Sequence, residues 1–367
     1  GFLNSLSGTM AISETTVNKS LHLAAEEINA AGGIMGKKID PVDADGASEP
    51  TVFAEKARQL IQKDCVAAVF GGWTSASRKA MRDPFKQLNS LLFYPVQYEG
   101  LEADHNIFYT GATTNQQIIP ALDFLRTKKK IKTIFLAGSD YVFPRTANAI
   151  IKAYAKEYGI KVLGEEYQLL GDKEWGTAVD KIVKTKPDVV FNTINGDSNV
   201  AFLKEYASAG LNAKNIPIVS VSIAEEEAAA IDVDLTGQMT AWNYYQTIDT
   251  PENKKFVAAF KAKYGKGAVT SDPMEAAYTS LYLYKAMVEK AGSFDVDKVI
   301  DASGGVTFDA PEGKVTVNGE NHHIAKTALI GEIQKDKLIK TIWSSGKPIE
   351  PDPFLKTYSW WDESLVP

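Results

Sequence analysis

In VAAVFGGWTSASRKAM (Val66 to Met81) and LLFYPVQYEG (Leu91 to Gly100), short apolar runs stop abruptly at polar and aromatic residues. Each run reads as a buried strand of an α/β sheet. In such sheets ligands sit where the carboxyl ends of strands give way to loops and helix N-termini. That places Trp73, Thr74, Ser75, Tyr94 and Gln97 around one crevice. They bring a flat apolar ring, hydroxyls and an amide, but no charge. Such a lining suits a small, neutral, planar polar molecule.

Working outward, 367 residues with 44% apolar content exceed what one core normally organises, which predicts two domains. The formal net charge of -6 argues against a nucleic-acid or anionic-membrane surface, since phosphate binding needs clustered Lys and Arg. The basic run Lys128 to Lys130 reads as a solvated helix end. No stretch approaches the ~18 consecutive apolar residues of a membrane span. Gly1-Phe2-Leu3 reads as the tail of a first strand, and no charged and apolar secretory leader is visible, as expected if one has been removed. The single cysteine, Cys65, allows no intrachain disulfide and is expected in the core.

Helical and strand patterns alternate along most of the chain, the signature of βαβ units around parallel sheets. A first helix, capped by Ser13, has Val17, Leu21, Ala24, Ala25 and Ile28 on one face and ends at Gly32-Gly33. Residues 39 to 44 read as a strand, 51 to 63 as a helix, and 66 to 70 and 91 to 94 as strands flanking a helix that Pro84 should kink or restart. A second set follows, with strands at 133 to 137, 161 to 166, 189 to 194 and 218 to 221 and helices near 145 to 158, 175 to 184 and 198 to 209. Long helices at 251 to 264 and 273 to 291 then return the chain to the first lobe, before a β-rich end with 313 to 317 and 327 to 334. The expected domains are 1 to 117 and 246 to 324 for lobe I, and 118 to 245 and 325 to 367 for lobe II.

Several segments are candidates for binding. Ser75 and Ser77 stand where a helix begins, so unpaired N-H groups and hydroxyls could meet a ligand carbonyl, although Ser75 could equally serve only as an N-cap. Gly71-Gly72 has neither the spacing nor the Lys-Ser/Thr ending of a phosphate loop. Pro95 fixes the turn between Tyr94 and Tyr98, which either aims those rings at a ligand or packs them at a domain edge. In the second half GSDYVFPR repeats the design with Asp140 and Tyr141, NTINGDSN with Asn195 to Ser198, and VSIAEEE with Ser222 and Glu225, where an acidic helix N-terminus is the simpler role. The four histidines, His22, His105, His322 and His323, are read as lying away from the crevice residues and lack metal spacing. No G-x-S-x-G, H-E-x-x-H or P-loop is present, so no catalytic residue, metal or cofactor is expected. The closing Trp360-Trp361 pair reads as a docked terminus.

LSGTMAISE, AAEEINAAGG, GGWTSASRKAM, FYPVQYEG, GSDYVFPRTAN, NTINGDSNVAFLK, VSIAEEE, AWNYYQTIDTPENKKFVAAFK, DPMEAAY and DAPEGKVTV together resemble the type I periplasmic substrate-binding proteins of ABC transporters, in their urea and short-chain amide branch. The resemblance covers nearly the whole chain. It implies a clamshell of two Rossmann-like lobes joined by a three-strand hinge, capture of urea between the lobes, delivery to a membrane permease, a periplasmic or membrane-anchored extracellular location, a monomer, and no cofactor. A cytoplasmic short-chain amide sensor is the alternative, sharing SRKA, YEG, GSDY and DAP. Residue by residue the resemblance carries ligand contact to Trp73, Ser75, Tyr94 and Tyr141; Val96 and Gln97 stand where this chain departs from it, and Gln97, Asn195 and Glu225 are the candidate acceptors for the ligand's NH2 groups. Val96-Gln97 replaces the sensor's threonine-proline pair, and an extra amide suits a ligand with two NH2 groups.

Overall fold

The computed structural model describes residues 1 to 366. Contacts divide the chain into two units. Unit 1 comprises Gly1–Tyr98, Glu102–Ala112 and Ile248–Lys326, while unit 2 comprises Glu99–Leu101, Thr113–Thr247 and the chain from Thr327 onward.

The first stretch carries β1 (Phe2–Asn4), α1 (Ala11–Ala30), β2 (Asp43–Asp45), α2 (Pro50–Gln62), β3 (Val69–Gly71), α3 (Ser75–Gln87), β4 (Leu92–Tyr94) and β5 (Ile107–Tyr109). In unit 2 follow α4 (Ile118–Phe124), β6 (Thr133–Ser139), α5 (Val142–Glu157), β7 (Lys161–Gln168), α6 (Gly176–Thr185), β8 (Val189–Thr193), α7 (Ser198–Ser208), β9 (Ile218–Ser220), α8 (Glu225–Ala230) and β10 (Met239–Trp242). Unit 1 resumes with α9 (Pro251–Tyr264), α10 (Asp272–Ala291), α11 (Val296–Ser303) and the antiparallel pair β11 (Thr307–Ala310) and β12 (Gly313–Thr316), and unit 2 ends with β13 (Leu329–Ile333) and β14 (Ile339–Ser344).

The unit 1 sheet has the order β2-β1-β3-β4-β5 and is parallel throughout. Unit 2 repeats that order as β7-β6-β8-β9-β10, also parallel, and extends it with β13 and β14 in antiparallel pairing. Both sheets therefore reverse strand order at one place, between β1 and β3 and between β6 and β8. At such switch points neighbouring connections leave on opposite faces and open a crevice at the strand carboxyl ends.

Burial on both faces explains the near-continuous apolar runs of these strands. In unit 1 the Phe70 and Phe93 rings stack at 4.9 Å, Phe93 and Phe108 at 5.0 Å, and Tyr284 of α10 meets the first two edge-on. The predicted α1 face, Val17, Leu21, Ala24, Ala25 and Ile28, is wholly buried. In unit 2, Ile134, Leu136, Val189, Phe191, Val219 and Ala241 share a core with Ala147, Ile150, Ile151 and Tyr154 of α5, and Trp360 and Trp361 pack against it.

Local differences from the sequence reading have identifiable causes. The helix α1 starts at Ala11 rather than at a Ser13 cap, because the Ser48 hydroxyl already receives the Met10 N-H at 3.0 Å. The strand expected over 39 to 44 is confined to Asp43–Asp45. The Asn29 side chain holds Ile39 through two bonds, at 2.7 and 2.8 Å, and Pro41 cannot donate to a ladder. The 66 to 70 strand starts only at Val69, and Cys65 is exposed rather than core, in a left-handed turn (φ 53°) leaving α2. Pro84 interrupts nothing: α3 runs from Ser75 to Gln87 as one helix.

Candidate binding site at the strand carboxyl ends

In unit 1 the crevice side of β3 is shaped by two glycines. Gly71 has φ 133°, and a Cβ there would lie 2.1 Å from the Leu3 carbonyl oxygen, so only glycine permits β1 and β3 to close at the switch point. Trp73 follows, buried, its carbonyl accepting a hydrogen bond from the Tyr94 hydroxyl. The α3 cap is Thr74, not Ser75: Thr74 Oγ1 accepts from the Ser77 N-H at 3.1 Å. Ser75 is thereby released from capping. Its hydroxyl oxygen accepts instead from Arg78 Nη1 at 3.1 Å.

The Pro95 turn places Val96 and Gln97, both buried, beside Gly111, where a Cβ would meet the Val96 carbonyl carbon at 2.1 Å. Thr110 N-H bonds the Tyr94 carbonyl at 2.9 Å, and Tyr98 N-H bonds the Ala112 carbonyl at 3.0 Å. Thus Trp73, Thr74, Ser75, Tyr94, Val96 and Gln97 all lie at the carboxyl ends of β3 and β4.

Beneath them is a charged cluster that the sequence reading did not assemble. Arg78 is fully buried, with its guanidinium 4.4 Å from the Tyr98 ring centre and 4.9 Å from that of Tyr94. Its Nε donates to Glu102 Oε1 at 2.9 Å, and the Tyr109 hydroxyl donates to the same oxygen at 2.7 Å. Lys79 and Arg82 approach Glu102 Oε2 at 3.4 and 3.8 Å. Burial alone would raise the Glu102 carboxyl, but the Arg78 charge, the Tyr109 O-H and Lys79 outweigh it and hold it at about 2. The histidine reading is also corrected here: His323 Nε2 is 2.6 Å from the Tyr98 hydroxyl, and its ring stacks on Tyr109 at 4.2 Å. Burial keeps His323 neutral, at about 3.

In unit 2 the ends of β6 and β8 carry Tyr141 and Asn195. Tyr141 precedes the first turn of α5, and Asp140 accepts from Arg145 Nε at 2.8 Å. Asn195 N-H donates to Ser139 Oγ at 3.1 Å, joining the two strands at the switch point, and Asn195 Nδ2 donates to the Thr193 carbonyl at 3.2 Å. Neutral groups support them. Asn192 Nδ2 donates to Asn199 Oδ1 at 3.0 Å and Ser220 Oγ at 2.9 Å, its oxygen accepts from Ile194 N-H at 2.8 Å, and Ser222 donates to the Ile194 carbonyl.

The acidic trio opens α8 and is buried. Glu227 accepts from the Ala224 N-H at 2.9 Å, whereas Glu225 Oε1 accepts from the Gln246 N-H at 2.7 Å. Glu227 therefore does the capping and Glu225 faces the chain leaving β10.

Residues 1–360 match the family model described as Periplasmic binding protein domain. The chain is 24% identical over 318 residues to the Leu/Ile/Val-binding protein homolog 6 of Brucella melitensis, covering 82% of this chain and 80% of that one. It is 27% identical over 303 residues to the leucine-, isoleucine-, valine-, threonine-, and alanine-binding protein of Pseudomonas aeruginosa, covering 80% and 78%. The crystal structure of a solute binding protein of an ABC transporter from Rhodopseudomonas palustris HaA2, in complex with p-hydroxybenzoic acid, matches with a TM-score of 0.86 at 23% identity, over 98% of this chain and 99% of that one. These similarities support the type I two-lobed α/β fold and a binding role rather than an enzymatic one, and do not separate out a urea-binding branch. Among the described residues, no helix is long and apolar enough to cross a membrane.

Proposed function

Since the chain belongs to the periplasmic binding protein family, we propose that it is the substrate-binding protein of an ABC transporter and that its ligand is urea. The observation that carries this reading is the division of labour in unit 1. The strand-end groups Trp73, Ser75, Tyr94 and Gln97 are uncharged and buried, and the buried cation beside them, Arg78, is matched by Glu102. With Arg78 matched by Glu102, the strand ends offer a ligand only N-H and O-H donors and uncharged acceptors, which suffice for a neutral carbonyl and its NH2 groups.

In this reading Ser75 and α3 backbone N-H groups serve the urea carbonyl, and Gln97, Asn195 and Glu225 accept from its NH2 groups. Trp73, Tyr94, Val96 and Tyr141 cover its faces. The protein works outside the cytoplasm as a monomer, needs no cofactor, and presents its loaded form to a permease. Urea's four heavy atoms, at a ceiling of about -1.5 kcal/mol each, limit the affinity to roughly tens of micromolar.

A second reading is a small aliphatic amino acid, favoured by the 27% identity to the Pseudomonas protein. Calorimetric titration of ligand-stripped protein with urea, acetamide, isoleucine and 4-hydroxybenzoate separates the readings. Saturable uptake of urea with weak acetamide binding is the expected result. Preference for acetamide points to the amide sensor, and preference for isoleucine or the benzoate overturns the neutral-ligand reading.

A further inference from the structure

We propose that Asn4, at the carboxyl end of β1, is a further ligand-contacting residue of unit 1, whose side-chain amide reads a group carrying an oxygen and an N-H together. The inference rests on the ligand reading above for the identity of that group, though not for its geometry. Asn4 has no exposed surface, and neither its Oδ1 nor its Nδ2 has a hydrogen-bond partner. A buried amide in that state is costly to keep, so it calls for a reason beyond the fold.

The backbone groups next to Asn4 are already engaged. The Gly46 N-H goes to the Asn4 carbonyl at 2.9 Å, the Gly72 N-H to the Leu3 carbonyl at 2.8 Å, and the Ser5 N-H to Glu14 Oε2 at 2.6 Å, while the other Glu14 oxygen bonds neither atom of the amide. Position 71 makes the room. A Cβ there would lie 2.8 Å from Asn4 Nδ2, so the glycine that lets β1 and β3 close also clears the amide. Unit 2 supplies the contrast. Ser139 ends β6, which holds the place of β1 in the repeated strand order, and its Oγ accepts from the Asn195 N-H at 3.1 Å across the switch point. There the polar side chain has a structural partner, whereas at the same place in unit 1 it has none. Asn4 stands at the reversal of strand order, where such sheets bind their ligands, and is as buried as Tyr94 and Ser75. One ligand group satisfies both its atoms when an N-H meets Oδ1 and an oxygen meets Nδ2, and urea presents that edge.

The test reads contact and affinity separately. In wild-type protein saturated with urea, the Asn4 side-chain NH2 pair, assigned through its own bonds in nitrogen-15 spectra, should shift and show cross-relaxation to the bound ligand's protons. N4A, stripped of ligand and checked for folding by its melting temperature, should bind urea about ten-fold more weakly. If N4A does not fold, the wild-type spectra decide alone. An NH2 pair that stays unmoved while urea saturates, or an N4A affinity equal to wild type, overturns the proposal and leaves the urea reading standing. Isoleucine or acetamide taken up in place of urea, with the NH2 pair in contact with it, supports the Asn4 contact and overturns the urea reading instead. A wild type that takes up none of the three overturns both.

Discussion

At the end of β3 in unit 1 the buried supporting groups are ionic, with Arg78, Glu102, Lys79 and Arg82 in one cluster. At the end of β8 in unit 2, reached by the same strand order, the support is made of amides and hydroxyls: Asn192, Asn199, Ser220 and Ser222. The first bonds a crevice residue directly, Ser75 through Arg78, whereas the second bonds Ile194, the neighbour of Asn195. They differ in how they fail. A buried ion pair is stable only when complete, because each partner alone is a desolvated charge, while a neutral network loses its bonds one at a time.

The largest expected effect breaks the ionic side. Glu102→Gln removes the counter-charge of a guanidinium with no exposed surface and should cost about 3–5 kcal/mol in guanidinium chloride unfolding. A loss below about 1 kcal/mol would mean that Arg78 is stabilised chiefly by its tyrosines, and the contrast between the units would collapse. Acid should act on the same pair. Glu102 titrates near 2 in the fold against 4.5 ordinarily, so its stabilisation is present above pH 4.5 and is lost as pH falls towards 2. That amounts to on the order of 3 kcal/mol. His323, lowered from 6.5 to about 3 by burial, adds a loss of the same sign as pH falls below 6.5. Melting curves across this range should be steep for wild type and flatter below pH 4.5 for Glu102→Gln.

Unit 1 also contains a buried group that titrates in the opposite sense. Lys326 Nζ donates to Glu312 Oε1 and the Thr110 carbonyl, both at 3.0 Å, and Glu275 Oε1 accepts from the Glu312 N-H at 3.1 Å, with Asp272 adding a further negative charge nearby. One ammonium cannot balance these carboxyls. Burial, opposed in part by Lys326, raises Glu275 and Glu312 together above the usual carboxylate range. The folded state therefore holds a proton that the unfolded state releases above 4.5. The contribution is present below pH 4.5 and is lost as pH rises through the raised folded-state value of the carboxyl pair. Glu275→Gln should remove that slope while keeping an acceptor for the Glu312 N-H and the Thr279 hydroxyl. A slope unchanged in the variant would place the proton on another carboxyl.

On the neutral side, Asn192→Ala strips partners from Asn199, Ser220 and the Ile194 N-H and should cost about 2 kcal/mol. The informative part is its pH dependence. The loss should be constant between pH 3 and 8, because none of the groups it leaves behind titrates there. A pH-dependent loss would show that the unit 2 network is coupled to a charge, contrary to the comparison.

How much of this was legible beforehand follows the same division. Periodicity placed α9 within its observed ends, Pro251–Tyr264, because its boundaries are marked by Pro and Gly. It also separated the strand ends, where apolar runs stop at Trp73 and Tyr94. Short strands without such marks, β5 and β10, were not legible, since three or four apolar residues also suit a loop or helix edge. The ionic cluster was invisible for a different reason. Arg78 and Glu102 stand 24 residues apart, a separation with no helical or strand period, and only the parallel pairing of β3, β4 and β5 brings α3 beside the loop that carries Glu102. His323 joins it from 225 residues beyond Tyr98, so nothing in the spacing linked it to these groups.

The smallest effect sharpens the comparison at the helix starts. In unit 1, Thr74 caps α3 by accepting from the Ser77 N-H at 3.1 Å, and its hydroxyl also meets that of Ser77 at 2.7 Å. In unit 2, α5 begins after Tyr141, whose side chain makes no capping bond. Thr74→Ala should thus cost about 1 kcal/mol, while Tyr141→Phe should leave the α5 start undisturbed. The two variants can then be compared for what they do to binding rather than to folding. If Ser75 drifts into the vacated capping role in Thr74→Ala, the Arg78 contact weakens and ligand affinity falls although no residue taken to touch the ligand has changed. Should affinity stay at the wild-type level while stability drops, the Thr74 cap serves the helix only, and the Arg78 contact to Ser75 does not depend on it.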